Sequence, residues 1–355
     1  MENTEFQKKI KNHFKSKLPF VLYCLPETEF VTGYFQKNSQ CYDANCFSEN
    51  GVVMAPFESQ NKTVCIPASK SDVITSRFSR QHFTQNDIPI DESEEDYKKH
   101  IALVDTAKRS INNRKANKIV VSRRKELPLK NFDLVALFLR LTSLFPDTFR
   151  YIWFHPKTGL WCGASPELLL KTDGFSFTTM ALAGTKKIID GKPPDWTSKE
   201  IEEQKYVLDT IATVLQKVTS VLKTSRTYTH QSGSIAHLRT DITGVLKNRK
   251  ATLEIIANRL HPTPAVCGIP QKVARDFVVA NEGYAREYYT GYIGPVSKDD
   301  TDSQLFVNLR CMKILDSKAY VYAGGGITVG SDVADEWNET KNKLQTMLQV
   351  LQPFL

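Results

Sequence analysis

The sequence predicts an α+β layered fold on three observations. Strand-like runs follow one another without an intervening helix, as in YIWFHP (151–156) and GLWCGASPELLLK (159–171). Amphipathic helices interrupt these runs at irregular intervals, so the regular βαβ alternation of a parallel sheet is missing. Hydrophobic residues make up 41% and charged residues 24% of the 355, the balance of a globular chain with a sizeable core. No internal repeat or low-complexity segment breaks the pattern.

Residues 3–17 read as a lysine-rich amphipathic helix with Phe6, Ile10 and Phe14 as its apolar ridge. VLYCL (21–25) and FVTGYF (30–35) follow as strands at the edge of a larger sheet. From about 70 to 96 polar residues dominate and end in the acidic DESEED, which reads as a surface loop. Tyr97, Ile101, Val104, Ala107 and Ile111 then recur at helical spacing, and NKIVVSR (117–123) is a short β-branched strand with Lys118 at its beginning. After a helix at 131–146 come the two strands quoted above, the second interrupted at Ser165 and Pro166. FSFTTMALAGTKK (175–187) is another strand, entering a glycine. The next, long helix carries Ile201, Leu208, Ile211, Leu215, Val218 and Leu222 as its apolar stripe; Glu203 lies off it, in a row with Val207, Thr210 and Val214. A strand and turn at 234–246, helices at 250–258 and 270–279, and strands at 288–295, 304–314 and 319–323 complete the order.

The stretch 320–344, YVYAGGGITVGSDVADEWNETKNKL, is the most informative. Alternating Tyr320, Val321 and Tyr322 predict a strand, and Gly324, Gly325 and Gly326 a turn that side chains would forbid. Ser331 or Asp332 can cap the helix that follows. On that helix Val333, Trp337, Thr340, Leu344, Leu348 and Leu351 share one face, and Glu336, Glu339 and Lys343 form a stripe beside it. Carboxylates and an ammonium beside bare glycine amides suit a divalent cation and an anionic ligand. The same spacing also suits a solvated face with weak ion pairs, so on these residues alone both readings stand. Glu167 poses a similar choice. It follows Pro166 in an apolar run with Leu168, Leu169 and Leu170, and a desolvated carboxyl there would stay protonated, as a general acid must. A strand-edge side chain pointing to solvent is the alternative.

A net charge of +8 favours anionic partners without choosing among them. The densest basic runs, RRK (123–125), KK (186–187) and KNRK (247–250), carry no nucleic-acid-binding signature, so nucleic acid is not expected. Seven scattered cysteines with no CxxC pair support neither a disulfide framework nor a zinc site. No run of eighteen apolar residues occurs and MENTEFQKKIKNHFKSKL lacks the apolar segment of a signal peptide; no membrane partner and a cytoplasmic location are expected.

LHPTPAVCGIP (260–270), together with SPELLLK, LAGTKK and the stretch 320–344, resembles the chorismate-utilising enzymes, most closely the isochorismate synthases. The match runs from about Lys118 to Leu344. The resemblance implies one α+β chorismate-binding domain over 1–355, with layered antiparallel sheets flanked by helices, residues 1–90 matched loosely and 94–353 as the catalytic core. It implies Mg2+ in a deep cleft and chorismate as substrate. Lys118 in KIVVSR matches the general base that activates water, and Glu167 the general acid that protonates the departing ring hydroxyl. Glu203 and Glu339 match the magnesium ligands, with Glu336 close to the metal and its waters. Lys343, Gly324, Gly325, Gly326, Arg310 in VNLRC, and Gly184 and Thr185 in LAGT match groups around the substrate carboxylates. His261, and Tyr289 with Arg286, match residues of the same cleft.

The residue types suit that chemistry: a dianion wants Mg2+ and basic side chains, and exchange of a ring hydroxyl needs one proton removed and one supplied. A lysine at its reference pKa of about 10.4 is mostly charged, so Lys118 needs burial or a cationic neighbour, for which Arg123 is the candidate. Two positions depart from the family pattern. Gln204 stands where histidine commonly follows the metal-binding glutamate, and Glu287 where glycine is usual. Ala183 takes the place of the lysine nucleophile in aminodeoxychorismate-forming relatives, and Lys118 argues against the ammonia-using, anthranilate-forming ones, so no amidotransferase subunit is expected. Salicylate synthases, which go on to eliminate pyruvate, are the runner-up; outside enzymology the alternatives are an anion-binding or a nucleic-acid-binding protein. The resemblance leaves menaquinone, siderophore and salicylate routes open.

Overall fold

The computed structural model describes residues 4–43, 46–58, 60–188, 192–232, 235–247, 252–299 and 301–355. In chain order its first half forms α1 (Thr4–Lys15), β1 (Phe20–Cys24), β2 (Phe30–Gln36), β3 (Gly51–Ala55), β4 (Val64–Pro67), β5 (Ser71–Arg77), α2 (Glu94–Asn112), β6 (Lys118–Pro128), α3 (Leu134–Leu144), β7 (Phe149–His155), β8 (Gly159–Ser165) and β9 (Leu168–Asp173). The second half adds β10 (Ser176–Lys187), α4 (Ser198–Gln216), β11 (Thr219–Thr224), β12 (Tyr228–Ser232), β13 (Ile235–Leu246), α5 (Leu253–Leu260), β14 (Gly268–Ile269), α6 (Gln271–Asn281), β15 (Tyr292–Val296), β16 (Thr301–Val307), β17 (Cys311–Leu315), β18 (Lys318–Ile327) and α7 (Val333–Leu351).

The strands make two antiparallel sheets, in the orders β14-β6-β18-β17-β8-β7-β1-β2-β5 and β11-β13-β10-β9-β16-β15-β3-β4, with β12 also paired to β13. Strand runs joined by short turns fold back on themselves, which is why the pairing is antiparallel. The sheets face each other through a layer built from Val21, Tyr151, Trp153 and Trp161 on one and Val52, Met54, Ile293 and Phe306 on the other. Outside the first sheet α1, α3 and α7 bury Phe6, Leu137 and Leu348; outside the second α4 and α5 bury Val207, Ile211 and Ile256. The result is the layered α+β arrangement that the strand runs predict. The loosely matched N-terminal part is divided between the sheets, β1, β2 and β5 in one and β3 and β4 in the other. Among the described residues no helix is long and apolar enough to cross a membrane.

Several expected elements differ, each for a physical reason. Within the expected loop 70–96, Ser71–Arg77 is an edge strand registered on β2; its alternate residues face water, which hides it in a polar stretch. The expected stripe on α4 is out of phase. The helix ends at Gln216, Glu200, Gln204, Val207, Ile211 and Leu215 are buried, and Ile201 is 52% exposed. Residues 219–224 turn back as β11, so Leu222 belongs to a strand. The run 304–314 is two strands broken at Arg310, whose φ of 46° is left-handed. Gly324, Gly325 and Gly326 do not turn either; they lie inside β18, paired with Ser122, Val121 and Val120, and none has a positive φ. Residue 3, the last three residues of KNRK and the start of the helix expected at 250–258 lie outside the described residues.

Phe149 and Phe306 stack across the two sheets, 4.4 Å between ring centroids and 5° from parallel. Phe306→Ala should therefore lower the unfolding free energy in urea by about 3–5 kcal/mol, through lost burial and the cavity left behind.

Candidate functional site

A cleft opens where the central strands β6 and β18 meet β10, α4 and α7. Lys118 and Val120 line it from β6, Gly324 and Gly326 from β18, and Glu167 from the β8–β9 connection. Leu182 to Thr185 from β10, Glu203 from α4, Tyr289, Arg310, and Glu339 with Lys343 from α7 complete the wall, around roughly 720 Å3 that includes the solvent-filled mouth.

The floor explains the three glycines. A Cβ on Gly326 would sit 2.6 Å from Glu203 Oε1 and 2.8 Å from Lys118 Cε, and one on Gly325 would sit 2.6 Å from Glu336 Oε2. Bare backbone is thus what lets carboxylates and a lysine press against the sheet; the requirement is space. Asp332 caps α7 by accepting from the amides of Ala334 and Asp335, which sets the phase that turns Glu336 and Glu339 towards that strand.

Each carboxylate meets a lysine. Lys118 Nζ lies 2.8 Å from Glu203 Oε1, and Lys343 Nζ donates to Glu339 Oε1 at 2.6 Å and to the Gly324 carbonyl at 2.8 Å. Glu336 is 2% exposed; its Oε1 accepts from Ser331 Oγ at 2.7 Å and from Lys199 Nζ at 3.1 Å, while its buried Oε2 has no partner. Burial, then repulsion from Glu339, pushes the Glu336 carboxyl up to about 7, against the pull of Lys199. In these positions no three acidic, imidazole or thiol groups among the described residues close around one point, because Glu203 and Glu339 are turned to their lysines.

Glu167 stands apart from that floor. At 5% exposure it is not the solvent-facing side chain that a strand edge would allow. Burial pushes its carboxyl up to about 7, and Lys118 and Lys343 draw it only part of the way back. On the wall, Arg310 is buried and, among the described residues, forms no ion pair; its Nη1 donates to Thr346 Oγ1 at 3.4 Å. Desolvation lowers its guanidinium to about 10, with Tyr289 and Glu339 holding against the loss. A buried guanidinium without a counter-ion, beside Lys343, is a seat for an anion.

The structure brings together Lys118, Glu167, Gly184, Thr185, Glu203, Tyr289, Arg310, Gly324, Gly326, Glu339 and Lys343, with Gly325 and Glu336 directly behind the floor. Gly184 takes a left-handed φ of 69° at a bulge in β10. His261 is not in the cleft: it ends α5, its Nε2 is 2.9 Å from the Pro56 carbonyl and its ring packs edge-on against Tyr292. Arg286 is not a wall residue either. It forms a buried ion pair with Glu282 and donates to the carbonyls of Val120 and Val266, while Glu282 accepts from the Ser122 amide, so the pair closes the edge of β6. Arg123 is not the cationic neighbour of Lys118; it pairs with Glu92, donates to Thr340 and lies 3.9 Å from the Trp337 ring.

Of the departures, Gln204 turns away from the cleft and donates to Thr240 Oγ1 at 2.8 Å. Glu287 has a φ of 49°, which is why glycine suits that position, and Lys313 holds its carboxylate at 2.7 Å. Ala183 lines the cleft, where it offers no nucleophile.

Sequence reasoning missed His237, Tyr322 and Lys199. His237 in IAHLRT lines the cleft; its Nδ1–H donates to the Gly184 carbonyl at 3.0 Å, which leaves Nε2 a buried acceptor without a partner. Burial, then Arg310 and Lys343, keeps the ring neutral, down to about 3. A histidine inside an alternating strand was the available signal. Tyr322, stacked 5.0 Å from Tyr289, looked like one more strand aromatic, and Lys199 like one surface charge in SKEIEEQK.

A family model described as chorismate binding enzyme matches residues 4–352. The isochorismate synthase DhbC of Bacillus subtilis is 31% identical over 198 residues, 53% of this chain and 50% of that protein. The isochorismate synthase EntC of Escherichia coli K12 is 30% identical over 244 residues, 66% of this chain and 62% of that one. The structure of MenF, the menaquinone-specific isochorismate synthase of Escherichia coli, matches with a TM-score of 0.76 over 94% of this chain and 89% of that one, at 21% identity, which speaks to the fold alone. This chain spans about half to three-fifths of the length of the curated relatives it matches.

Because the Glu167 carboxyl is held at about 7 against an ordinary 4.5, the folded chain keeps a proton that the unfolded chain has already released between those pH values. Stability therefore falls as pH rises through that window, by at most about 3 kcal/mol, and the whole cost is present above it. Glu167→Gln should raise the melting temperature relative to wild type at pH 8 and leave it unchanged at pH 4, measured by calorimetry. An equal shift at both pH values would contradict the raised carboxyl.

Proposed function

Since the chain belongs to the chorismate-binding enzymes, we propose that it is an isochorismate synthase, exchanging the ring hydroxyl of chorismate with water. One observation carries this reading: a buried carboxyl that stays protonated near neutral pH and a buried lysine line one cleft whose other charged groups suit a dianion.

Lys118 is the base. Its side chain is 1% exposed and its Nζ lies 2.8 Å from Glu203 Oε1 inside the cleft; as the free amine it takes a proton from water. The water oxygen bonds to C2, both conjugated ring double bonds shift by one position around the ring, and the C4 hydroxyl leaves with a proton from Glu167 as a second water. One water enters and one departs, so no oxidant or co-substrate is needed. Arg310 and Lys343 hold the carboxylates of the substrate, and Gly184 and Thr185 shape the wall beside them. His237 Nε2, an acceptor fixed by the Gly184 carbonyl, takes a hydrogen bond from a ring hydroxyl or a water.

Glu203, Glu336 and Glu339 offer the all-oxygen donor set that Mg2+ prefers, and the unpartnered Glu336 Oε2 is the donor that fits it best. When bound, the ion offsets the charge of a substrate carboxylate and fixes its orientation. Ala183 speaks against a covalent route through lysine, and Lys118 for water over ammonia.

Purified protein incubated with chorismate should give isochorismate, resolved by chromatography, with Mg2+ and none after chelation. Salicylate and pyruvate in equal amounts would move the chain to the pyruvate-eliminating relatives, and no conversion would refute the assignment. Lys118→Met and Glu167→Gln should each lower kcat by about 10²–10⁴-fold, the usual worth of a positioned proton-transfer group. Gly326→Ala should lose activity as well, because its methyl group would displace both Lys118 and Glu203.

A further inference from the structure

Lys199 touches the carboxylate floor without facing the substrate cleft. It stands one helical turn before Glu203 on α4, and its Nζ reaches Glu336 Oε1 at 3.1 Å. With Asn117, Glu202, Tyr206 and Thr328 it lines a second cavity, which shares Glu203 with the cleft.

The three carboxylates of the floor are matched by three lysines. Lys118 answers Glu203, Lys343 answers Glu339, and Lys199 answers the most buried of the three, Glu336. A carboxylate buried without a counter-charge is strongly unfavourable, so Lys199 supplies what a cation would otherwise supply. A divalent ion drawing on Glu336 would meet an ammonium already in contact with the same group, and like charges a few ångströms apart repel. The neighbouring cavity gives the side chain somewhere to go, and Glu202, exposed on its rim, gives it another partner.

We propose that Lys199 is a placeholder cation: it holds Glu336 in place while the floor is metal-free and swings into the adjoining cavity when a divalent cation binds. This rests on the assignment of Glu203, Glu336 and Glu339 as metal ligands. Lys199 then weakens divalent-cation binding while it protects the metal-free fold.

The test is calorimetric titration of Mg2+ into the wild type, Lys199→Gln, Lys199→Arg and Glu336→Gln, without substrate, with melting curves of each. Lys199→Gln should bind Mg2+ about tenfold more tightly or better, the scale set by removing one positive charge next to a divalent one. Its metal-free form should melt lower than wild type and recover with Mg2+, and Lys199→Arg should keep the wild-type affinity. Unchanged or weaker binding by Lys199→Gln, with the wild type still binding, would overturn the placeholder and leave the metal assignment intact. Wild type and Glu336→Gln that both fail to bind Mg2+ would overturn the metal assignment, and the placeholder with it.

Discussion

Three carboxylates pressed against one strand are the constraint on which this site depends. Glu203 comes from α4, Glu336 and Glu339 from α7, and two of them approach the backbone of Gly325 and Gly326 to distances no Cβ would permit. A strand normally gains stability from its side chains, so three successive glycines in β18 sacrifice packing. What they gain is closeness: two helices bring their acids onto a strand that carries no Cβ there. β18 keeps its place because β6 and β17 pair with it on either side.

Burial and pairing then give one residue type different chemistry at different positions. Glu203 and Glu339 sit in ion pairs with Lys118 and Lys343. Glu167 has lysines near it but no such contact, and desolvation wins, so its carboxyl keeps a proton near neutral pH. The same logic makes His237 a fixed acceptor, because a buried ring beside Arg310 and Lys343 cannot afford a second N–H charge. Arg310 bears the opposite cost, a buried cation with no ion pair among the described residues.

Around this centre the fold fixes edges rather than adding ligands. The Glu282–Arg286 pair satisfies the amide of Ser122 and the carbonyl of Val120, closing an edge of β6 that the two-residue β14 is too short to cover. Arg286 also reaches Val266, on the cleft wall, so the strand bearing Lys118 and that wall are tied through one guanidinium. Gln204 and Glu287, the two departures from the family pattern, are each absorbed by a neighbour, Thr240 and Lys313, outside the cleft.

Much of this was legible in the residues themselves. Periodicity placed most helices and strands, because an apolar ridge at helical spacing and strand runs joined by turns are local patterns; the Ser165 and Pro166 interruption, which presents Glu167, was local too. The resemblance to the chorismate-utilising enzymes brought Lys118, Glu167, Glu203, Arg310, Glu339 and Lys343 into one list. What only the tertiary structure decided was whatever depends on neighbours distant in sequence. Phase along α4 was misjudged because polar Glu200 and Gln204 are buried by capping and by β13, against their hydropathy. His261 lies outside the cleft because its partner, the Pro56 carbonyl, comes from a distant segment, and Arg286 because its pair with the nearby Glu282 is spent on the backbone of Val120, Ser122 and Val266. The sequence by itself determined which residue types were available and on which elements. Tertiary packing determined that three glycines meant space and not a turn, that burial would raise the Glu167 carboxyl, and that Lys199 would meet Glu336, since clearance, desolvation and charge pairing are properties of surroundings and not of a chain.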